Sequence, residues 1–326
     1  MNVLLTGATG FIGRYTAMDL ISRGYEVYGL VRASSSRRGT LPDKLHIVEA
    51  DLQELREAEL PSIDVCIHLA WAGAARDGRM NVQLQRDNIE DTLALIRAVA
   101  AKGCTRFIFS GSQAEYGITA ADVNAADASQ IDVAESSAPT TTEHTPCHPR
   151  SEYGRAKLEV LRRASQLCRE LNMTYIHMRI FSVYGAGDQP NSLISLCAAA
   201  FAQKKVMAAA SSCTQMWNFL HVRDCAHAIA LLVSCPFVVD ADAGEDEYVV
   251  NVAGARSRVL REYIEELAKA ADPPGIVTFG GKVDSPEGTP YLNPDISKLV
   301  ALTGFKEQVT WAAGMRDVLT TKFRHT

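Results

Sequence analysis

Short apolar runs separated by polar stretches of helical pattern recur along the first half of the chain. Strands are predicted near residues 2–6, 26–31, 46–49, 64–68, 106–110 and 174–180, and helices near 11–23, 80–102 and 151–171. Strand–helix alternation of this kind predicts a parallel sheet, because each helix carries the chain back across a face before the next strand begins. Beyond Arg179 the chain moves between two lobes. Residues 186–216 leave the sheet, Trp217-Asn218-Phe219-Leu220-His221-Val222 reads as a returning strand, a helix follows near 223–234, and Tyr248–Val252 is a further strand. The expected class is α/β, a doubly wound parallel sheet with a smaller C-terminal α/β substrate-binding lobe. The sheet domain takes residues 1–185 and 217–252; the lobe takes 186–216 and 253–326.

The first turn carries the first chemical signal. Thr6-Gly7-Ala8-Thr9-Gly10-Phe11-Ile12-Gly13 follows the apolar run Val3-Leu4-Leu5 and precedes a helical pattern. In that context one glycine permits the tight turn, one lets backbone approach a pyrophosphate, and one lets helix and strand pack closely. The helix offers its free N–H groups to the anion. A Rossmann-type dinucleotide site therefore includes Gly7, Thr9, Gly10, Phe11 and Ile12.

The second signal is Tyr153-Gly154-Arg155-Ala156-Lys157. Residues four apart share one helix face. A phenol with a pKa of about 10 is a poor proton carrier at neutral pH, and a neighbouring ammonium favours its ionised form. Ser110-Gly111-Ser112 follows the apolar run Arg106-Phe107-Ile108-Phe109, which puts hydroxyls at the C-terminal end of a strand, where open α/β sheets bind ligands. Ser112, Tyr153 and Lys157 are the candidate catalytic residues.

Composition narrows the classes. A chain of 326 residues can bury a large core, and a net charge of -5 without a basic tract argues against a nucleic-acid surface. No apolar run approaches the roughly 20 residues of a membrane span. A strand beginning near residue 2 leaves no room for a signal peptide. The eight cysteines form no C-x-x-C pair and read as reduced, mostly buried thiols, so a cytoplasmic location is expected and no metal site is.

With these motifs goes a further set: Asp51-Leu52, His68-Leu69-Ala70, Asn88, Tyr116-Gly117 and Arg179-Ile180-Phe181-Ser182-Val183-Tyr184-Gly185. Together they resemble the extended short-chain dehydrogenase/reductases that modify nucleotide sugars. The resemblance implies that Asp51 and Leu52 flank an adenine, that Leu69 and Ala70 let the cofactor lie close, and that Asn88 supports the active site. Tyr153 would exchange a proton with a sugar hydroxyl, Lys157 would bind the nicotinamide ribose, and Ser112 would orient the reacting oxygen. It also implies a homodimer through the helices near 80–102 and 151–171. Trp71 reads as packing. Residues 118–138 form an acidic, Ala- and Ser-rich inserted loop, read as an insertion without catalytic role, with a lid over the substrate as the alternative.

The second strand ends in Arg32-Ala33-Ser34-Ser35-Ser36-Arg37. An NAD site normally places a carboxylate there, whereas Arg32, Ser34 and Arg37 suit a 2′-phosphate, so NADP(H) is favoured over NAD(H). Dehydratases of the resembling family carry a glutamate two residues after the Ser/Thr. Here Ala114 stands in that place and Glu115 falls one residue late, facing the other way, which argues against dehydration. Epimerases of the family typically hold NAD tightly. The expected reaction is reduction of a nucleoside-diphosphate 4-keto-6-deoxyhexose, with a 4-epimerase as alternative and a non-catalytic NADP sensor as a minor one. Gln113, Ser182, Asn218 and Arg223 are the candidate substrate contacts, with Arg256 a further phosphate candidate. Trp217-Asn218 stands where relatives often use Arg-Asp, a difference that removes the charge of the usual phosphate contact.

Overall fold

A computed structural model describes residues 1–55, 60–117, 140–209, 211–239, 244–280, 287 and 290–323. The inserted loop predicted at 118–138 lies outside the described residues. Seven parallel strands form the central sheet: β1 (Asn2–Thr6), β2 (Glu26–Val31), β3 (His46–Glu49), β4 (Val65–His68), β5 (Arg106–Ser112), β6 (Thr174–Ile180) and β11 (Val249–Val252). Their spatial order is β11-β6-β5-β4-β1-β2-β3. Winding runs outward from β1 to β3, then restarts at β4 and runs the other way. The crevice outside the strand ends between β1 and β4 is thus the switch point where such sheets hold ligands.

Strands buried on both faces are nearly continuous in apolar residues, as in Val3-Leu4-Leu5 and Phe107-Ile108-Phe109, all with no exposed surface. One face is covered by α1 (Phe11–Ser22) and α5 (Val222–Leu232), the other by α2 (Val82–Ala100) and α3 (Glu152–Glu170). Along α2 the buried positions Gln85, Asn88 and Thr92 follow helical spacing and turn a polar stripe inward beside the apolar Ile89, Leu93 and Ile96. The C-terminal lobe packs α4 (Leu193–Ala202), α6 (Leu260–Ala270) and α8 (Trp311–Phe323) around Phe201, Ile264 and Leu267. The lobe is expected to take 253–326, but α7 (Ser297–Thr303) packs on α5 and β11 of the sheet region, with Leu299 in the core under α1 and α5.

The expected returning strand is corrected by the topology. It is split into β9 (Met216–Trp217) and β10 (Phe219–His221), and neither joins the central sheet. β10 pairs with β7 (Ser182–Tyr184), and β9 pairs antiparallel with β12 (Arg258–Val259). The position beside β6 is filled by β11. What returns from 217–252 is α5, packed on α1, followed by β11. Two shorter strands, β8 (Met207–Ala208) and β13 (Val277–Thr278), pair within the smaller lobe. The eight cysteines are free thiols, and all but Cys147 are buried. Among the described residues no helix is long and apolar enough to cross a membrane.

The glycine turn is fixed by space as well as by backbone angle. Gly7 has φ +72°, and a Cβ there would lie 2.8 Å from the Ala70 nitrogen. A Cβ on Gly13 would fall 2.0 Å from the Gly7 carbonyl oxygen, so helix α1 could not start where it does. Gly13→Ala is expected to destabilise the fold by about 2–3 kcal/mol, the cost of overpacking a site that cannot yield; urea unfolding of the variant at neutral pH measures it.

Candidate active site

A cleft of about 580 Å³ lies over the switch point. Gly7, Thr9 and Gly10 form one wall, Leu69 and Ala70 the floor, and Asp51 and Leu52 the far end beside Arg32, Ser34 and Arg37. Helix α1 begins at Gly10 with no side chain capping it, whereas α2, α3 and α5 are capped by Asn81, Ser151 and His221. Its first N–H groups are left for an anion. Phe11 and Ile12, expected at the cofactor, open α1 and Ile12 packs against the core, but neither lines the cleft. The turn, the uncapped helix and the elongated cleft fit a dinucleotide.

The floor is held by a chain of hydrogen bonds. Thr6 Oγ1 lies 2.6 Å from His68 Nδ1 and accepts from the Ala70 N–H at 3.1 Å. His68 Nε2 lies 3.1 Å from Thr92 Oγ1, which donates to the Asn88 carbonyl at 2.8 Å. The Asn88 amide then bonds the Ala72 N–H and carbonyl, at 3.0 and 2.9 Å. Thr92 spends its proton on the Asn88 carbonyl and so accepts from His68 Nε2, which leaves Nδ1 of the neutral ring to accept from Thr6. Burial, with repulsion from Lys157, lowers the His68 pKa to about 3. Asn88 thus lines the cleft and also braces the loop that forms the floor.

Beyond Trp71 the three candidate catalytic residues converge. Tyr153, near the start of α3, has its phenol beside Ser112 at the end of β5. Lys157 is buried, donating to the Ser110 carbonyl at 2.6 Å with its ammonium 3.7 Å from the Trp71 ring centre. That ammonium is 5.6 Å from the centre of the Tyr153 ring. Lys157, expected to hold the phenol's pKa down, thus sits beside the Tyr153 ring while its hydrogen bond goes to the Ser110 carbonyl. Burial pushes the Lys157 ammonium well below its ordinary range, and burial raises Tyr153. The groups opposing that rise are Arg79 and the Ser112 hydroxyl. Arg79 comes from the 3₁₀ turn Arg76–Met80, and its guanidinium carbon sits 4.3 Å over the Tyr153 ring. Trp71 is more than packing: it lines the cleft, meets Tyr153 edge-on and anchors its indole N–H on Gln85 at 2.8 Å.

Ser112 sits on a rigid turn. Its side chain accepts from the Ala114 N–H, while the Glu115 carboxylate accepts from the Ser112 N–H at 2.7 Å. Glu115 is fully buried, with Arg179 Nε at 2.9 Å and His177 Nε2 at 2.9 Å. Although burial opposes ionisation, His177 and Arg179 together hold the carboxyl down at about 2. Arg179 also donates to the Glu143 carbonyl, and Glu143 accepts from the Asn251 N–H. No spacing rule would have linked positions 115, 143, 179 and 251; the sheet register does.

The candidate substrate contacts are placed less uniformly. Gln113 joins Arg79, Arg150 and Glu287 around a cavity of about 160 Å³. Ser182 is half-buried at the start of β7. Asn218 is fully buried and spends its amide on Gly254, accepting at 2.7 Å and donating at 2.9 Å, so as a substrate contact it is corrected to a clamp between lobe segments. Arg223 is exposed in the first turn of α5, and the cleft is lined without it.

Residues 3–253 match the family model described as the NAD dependent epimerase/dehydratase family. A dTDP-6-deoxy-L-talose 4-dehydrogenase (NAD(P)(+)) of Kitasatospora kifunensis is 26% identical over 302 residues, covering 88% of this chain and 83% of that one. A UDP-glucose 4-epimerase of Klebsiella pneumoniae is 33% identical over 129 residues, covering 36% of this chain and 93% of the other. Among solved structures, UDP-glucuronic acid 4-epimerase from Bacillus cereus superposes with a TM-score of 0.80 at 19% identity, over 100% of both chains. The UDP-glucose 4-epimerase of Thermus thermophilus, in complex with NAD, gives 0.77 at 21% identity, over 99% of each.

Because native His68 binds its proton only near pH 3 while an unfolded histidine does so near 6.5, the unfolded chain holds more protons between those values. Stability from this group is therefore complete above 6.5 and lost as pH falls through that window. Lowering the pH from 7 to 5 should remove about 2 kcal/mol through His68. Urea midpoints at the two pH values measure the loss, and His68→Gln should flatten the dependence by that amount.

Proposed function

Since the chain belongs to the NAD dependent epimerase/dehydratase family, we propose that it is an NADP(H)-dependent oxidoreductase that reduces the 4-keto group of a nucleoside-diphosphate 4-keto-6-deoxyhexose. The observation that carries this reading is the ribose end of the cleft. There the backbone leaving β2 presents Arg32, Ser34 and Arg37, two guanidiniums and a hydroxyl suited to a 2′-phosphate. A dehydrogenase relative whose name gives NAD(P)(+) as cofactor, aligned over most of the chain, supports it.

Gly7, Thr9 and Gly10 with the N-terminus of α1 would hold the cofactor's diphosphate, Leu69 and Ala70 would lie beneath it, and Asp51 and Leu52 would flank the adenine. Lys157, buried under Trp71, would meet the nicotinamide ribose. The bound nicotinamide supplies the hydride. The chain's own residues do the rest. Ser112 hydrogen-bonds the carbonyl oxygen at C4 and orients it, and Tyr153 delivers the proton that turns that oxygen into a hydroxyl. Hydride to carbon and proton to oxygen balance one reduction, with one NADPH oxidised per sugar. Gln113 adds a polar contact at the sugar, and Ser182 and Arg223 remain assigned to the substrate side. The exposed faces of α2 and α3 are assigned to a homodimer, which light scattering on the purified protein tests.

A nucleotide-sugar 4-epimerase is the second reading, favoured by the 33% identity shared with a UDP-glucose 4-epimerase. The two separate by stoichiometry. The enzyme is expected to consume one NADPH per sugar with one member of a panel of nucleotide-linked 4-keto-6-deoxy sugars, and Tyr153→Phe should slow this by at least about 10³-fold. Interconversion of a UDP-sugar without net NADPH loss would transfer the assignment to the epimerase. Arg32→Glu should cut the preference for NADPH over NADH by about tenfold or more, since one charge-assisted phosphate contact is worth about 1.5–3 kcal/mol; parallel kcat/KM values for the two cofactors read it.

A further inference from the structure

The buried ammonium of Lys157 lies in a cage of aromatic rings. Its nitrogen stands 3.7 Å from the centre of the Trp71 ring, 4.5 Å from that of Phe109 and 5.6 Å from that of Tyr153. The Ser110 carbonyl accepts from it at 2.6 Å. Glu115, the carboxylate that favours its charge, is spent on His177 and Arg179. Burial without a counter-ion disfavours an ammonium, and it pushes Lys157 well below its ordinary range. What the cage offers instead is the negative face of each ring, strongest for an indole.

Trp71 is pinned in that cage from several sides. Before it the Ala70 N–H is bound by Thr6 Oγ1, and after it Asn88 binds both the N–H and the carbonyl of Ala72. The indole N–H donates to Gln85 Oε1 at 2.8 Å. The amide of buried Gln85 donates in turn to the Gly73 and Gly78 carbonyls, at 3.2 and 2.8 Å. These bonds set the ring edge-on to Tyr153 and face-on to the ammonium.

We infer that Trp71, backed by Phe109, is the positioning residue that takes the place of a counter-ion for Lys157 and holds its ammonium, still cationic, beside Tyr153. An ammonium has three N–H groups. The Ser110 carbonyl takes one and the indole face another, and the third serves the ribose hydroxyl assigned to Lys157 above. The charged and titratable groups around the cage act from further off. Glu115 favours the ammonium and Arg79 opposes it, while the ammonium itself opposes protonation of His68 and His177. Tyr153, on the same helix, forms the most distant of the three walls. The inference deepens the function proposed above, in which Lys157 serves the cofactor and the tyrosine, and adds a residue that helical spacing does not reach.

The test keeps the shape of the ring and changes its charge distribution. The full chain, without cofactor, is labelled with lysine carrying 13C at Cε. The Lys157 resonance is assigned by its loss in Lys157→Met, and the midpoint of its pH titration is read by NMR. Trp71 alone is then replaced, by site-specific incorporation, with monofluorinated and trifluorinated tryptophan, whose ring faces are progressively less negative. The midpoint should fall stepwise, by about half a pH unit or more for the trifluorinated ring, which is about threefold less ammonium relative to free amine at fixed pH. Trp71→Leu removes the face and should lower the midpoint by about one unit or more, and Trp71→Phe should recover part of that. A midpoint that stays in place or rises along the fluorinated series overturns the inference, and that series stays readable if Trp71→Leu does not fold. Turnover by Tyr153→Phe reports separately on the reaction: activity retained there overturns the proposed chemistry, whatever the titration shows.

Discussion

The buried carboxylate of Glu115 is the constraint on which the catalytic end of the molecule depends. It receives the Ser112 N–H, the Arg179 guanidinium and the His177 ring, all without solvent. Taking such charges out of water costs several kcal/mol each, so the cluster is a poor source of stability and a strong source of geometry. Removing Glu115 would leave the Arg179 guanidinium in the core without its carboxylate. The turn carrying Ser112 and Gln113 is therefore set by β6, and Arg179 extends the same control to Glu143 and, through it, to the backbone of β11. Asn251 passes it further, to the hydroxyl of Tyr116 and the carbonyls of Thr141 and Asp295. A single polar network thus registers three strands and two returning segments against the turn that carries Ser112.

Above that network the pocket is built from two regions joined by apolar packing and by a few polar contacts. Leu299 and Phe305 lie in the core under the sheet, and Leu292 packs against Tyr116 and Phe181. The crossing into the smaller lobe is pinned where Tyr15, and Arg14 beside it, donate to the Ala186 carbonyl, the tyrosine at 3.0 Å. Asp224 at the start of α5 receives the N–H groups of Gln308 and Val309 at 2.9 and 3.0 Å. Arg79 and Glu287 meet on the side of Tyr153. Contacts made by charged and carbonyl groups fix the orientation in which the apolar surfaces of the two regions meet.

How much of this could be read from sequence follows from the range of each interaction. The glycine turn, the six strands through Ile180 and the helices α1 to α3 depend on residues within a few positions of one another, and they stand within two residues of expectation. The split of 216–221 was hidden because Asn218 looks like any polar residue in a strand until Gly254, 36 positions later, takes both ends of its amide. Glu115 could be excluded from the face of Ser112 by counting, but its partners at 177 and 179 lie on a strand 62 and 64 positions away. Arg79 was missed for the same reason: its partner Glu287 is 208 positions distant. Helical spacing made Lys157 the obvious neighbour of Tyr153; the rotamer that sends its ammonium under Trp71 is a tertiary fact.

The segment leaving β2 has a different relation to the fold from everything else around the cleft. Arg32, Ser34 and Arg37 are exposed, and none belongs to either core under the sheet. The floor and the serine turn, by contrast, are each locked into buried networks. Surface substitutions away from caps and cores change stability by only about half a kcal/mol. The ribose end of this scaffold is consequently free to drift while its catalytic end is not. On the reading proposed above, a lineage built on it could exchange one nicotinamide cofactor for another in a few mutational steps and without passing through unfolded ancestors.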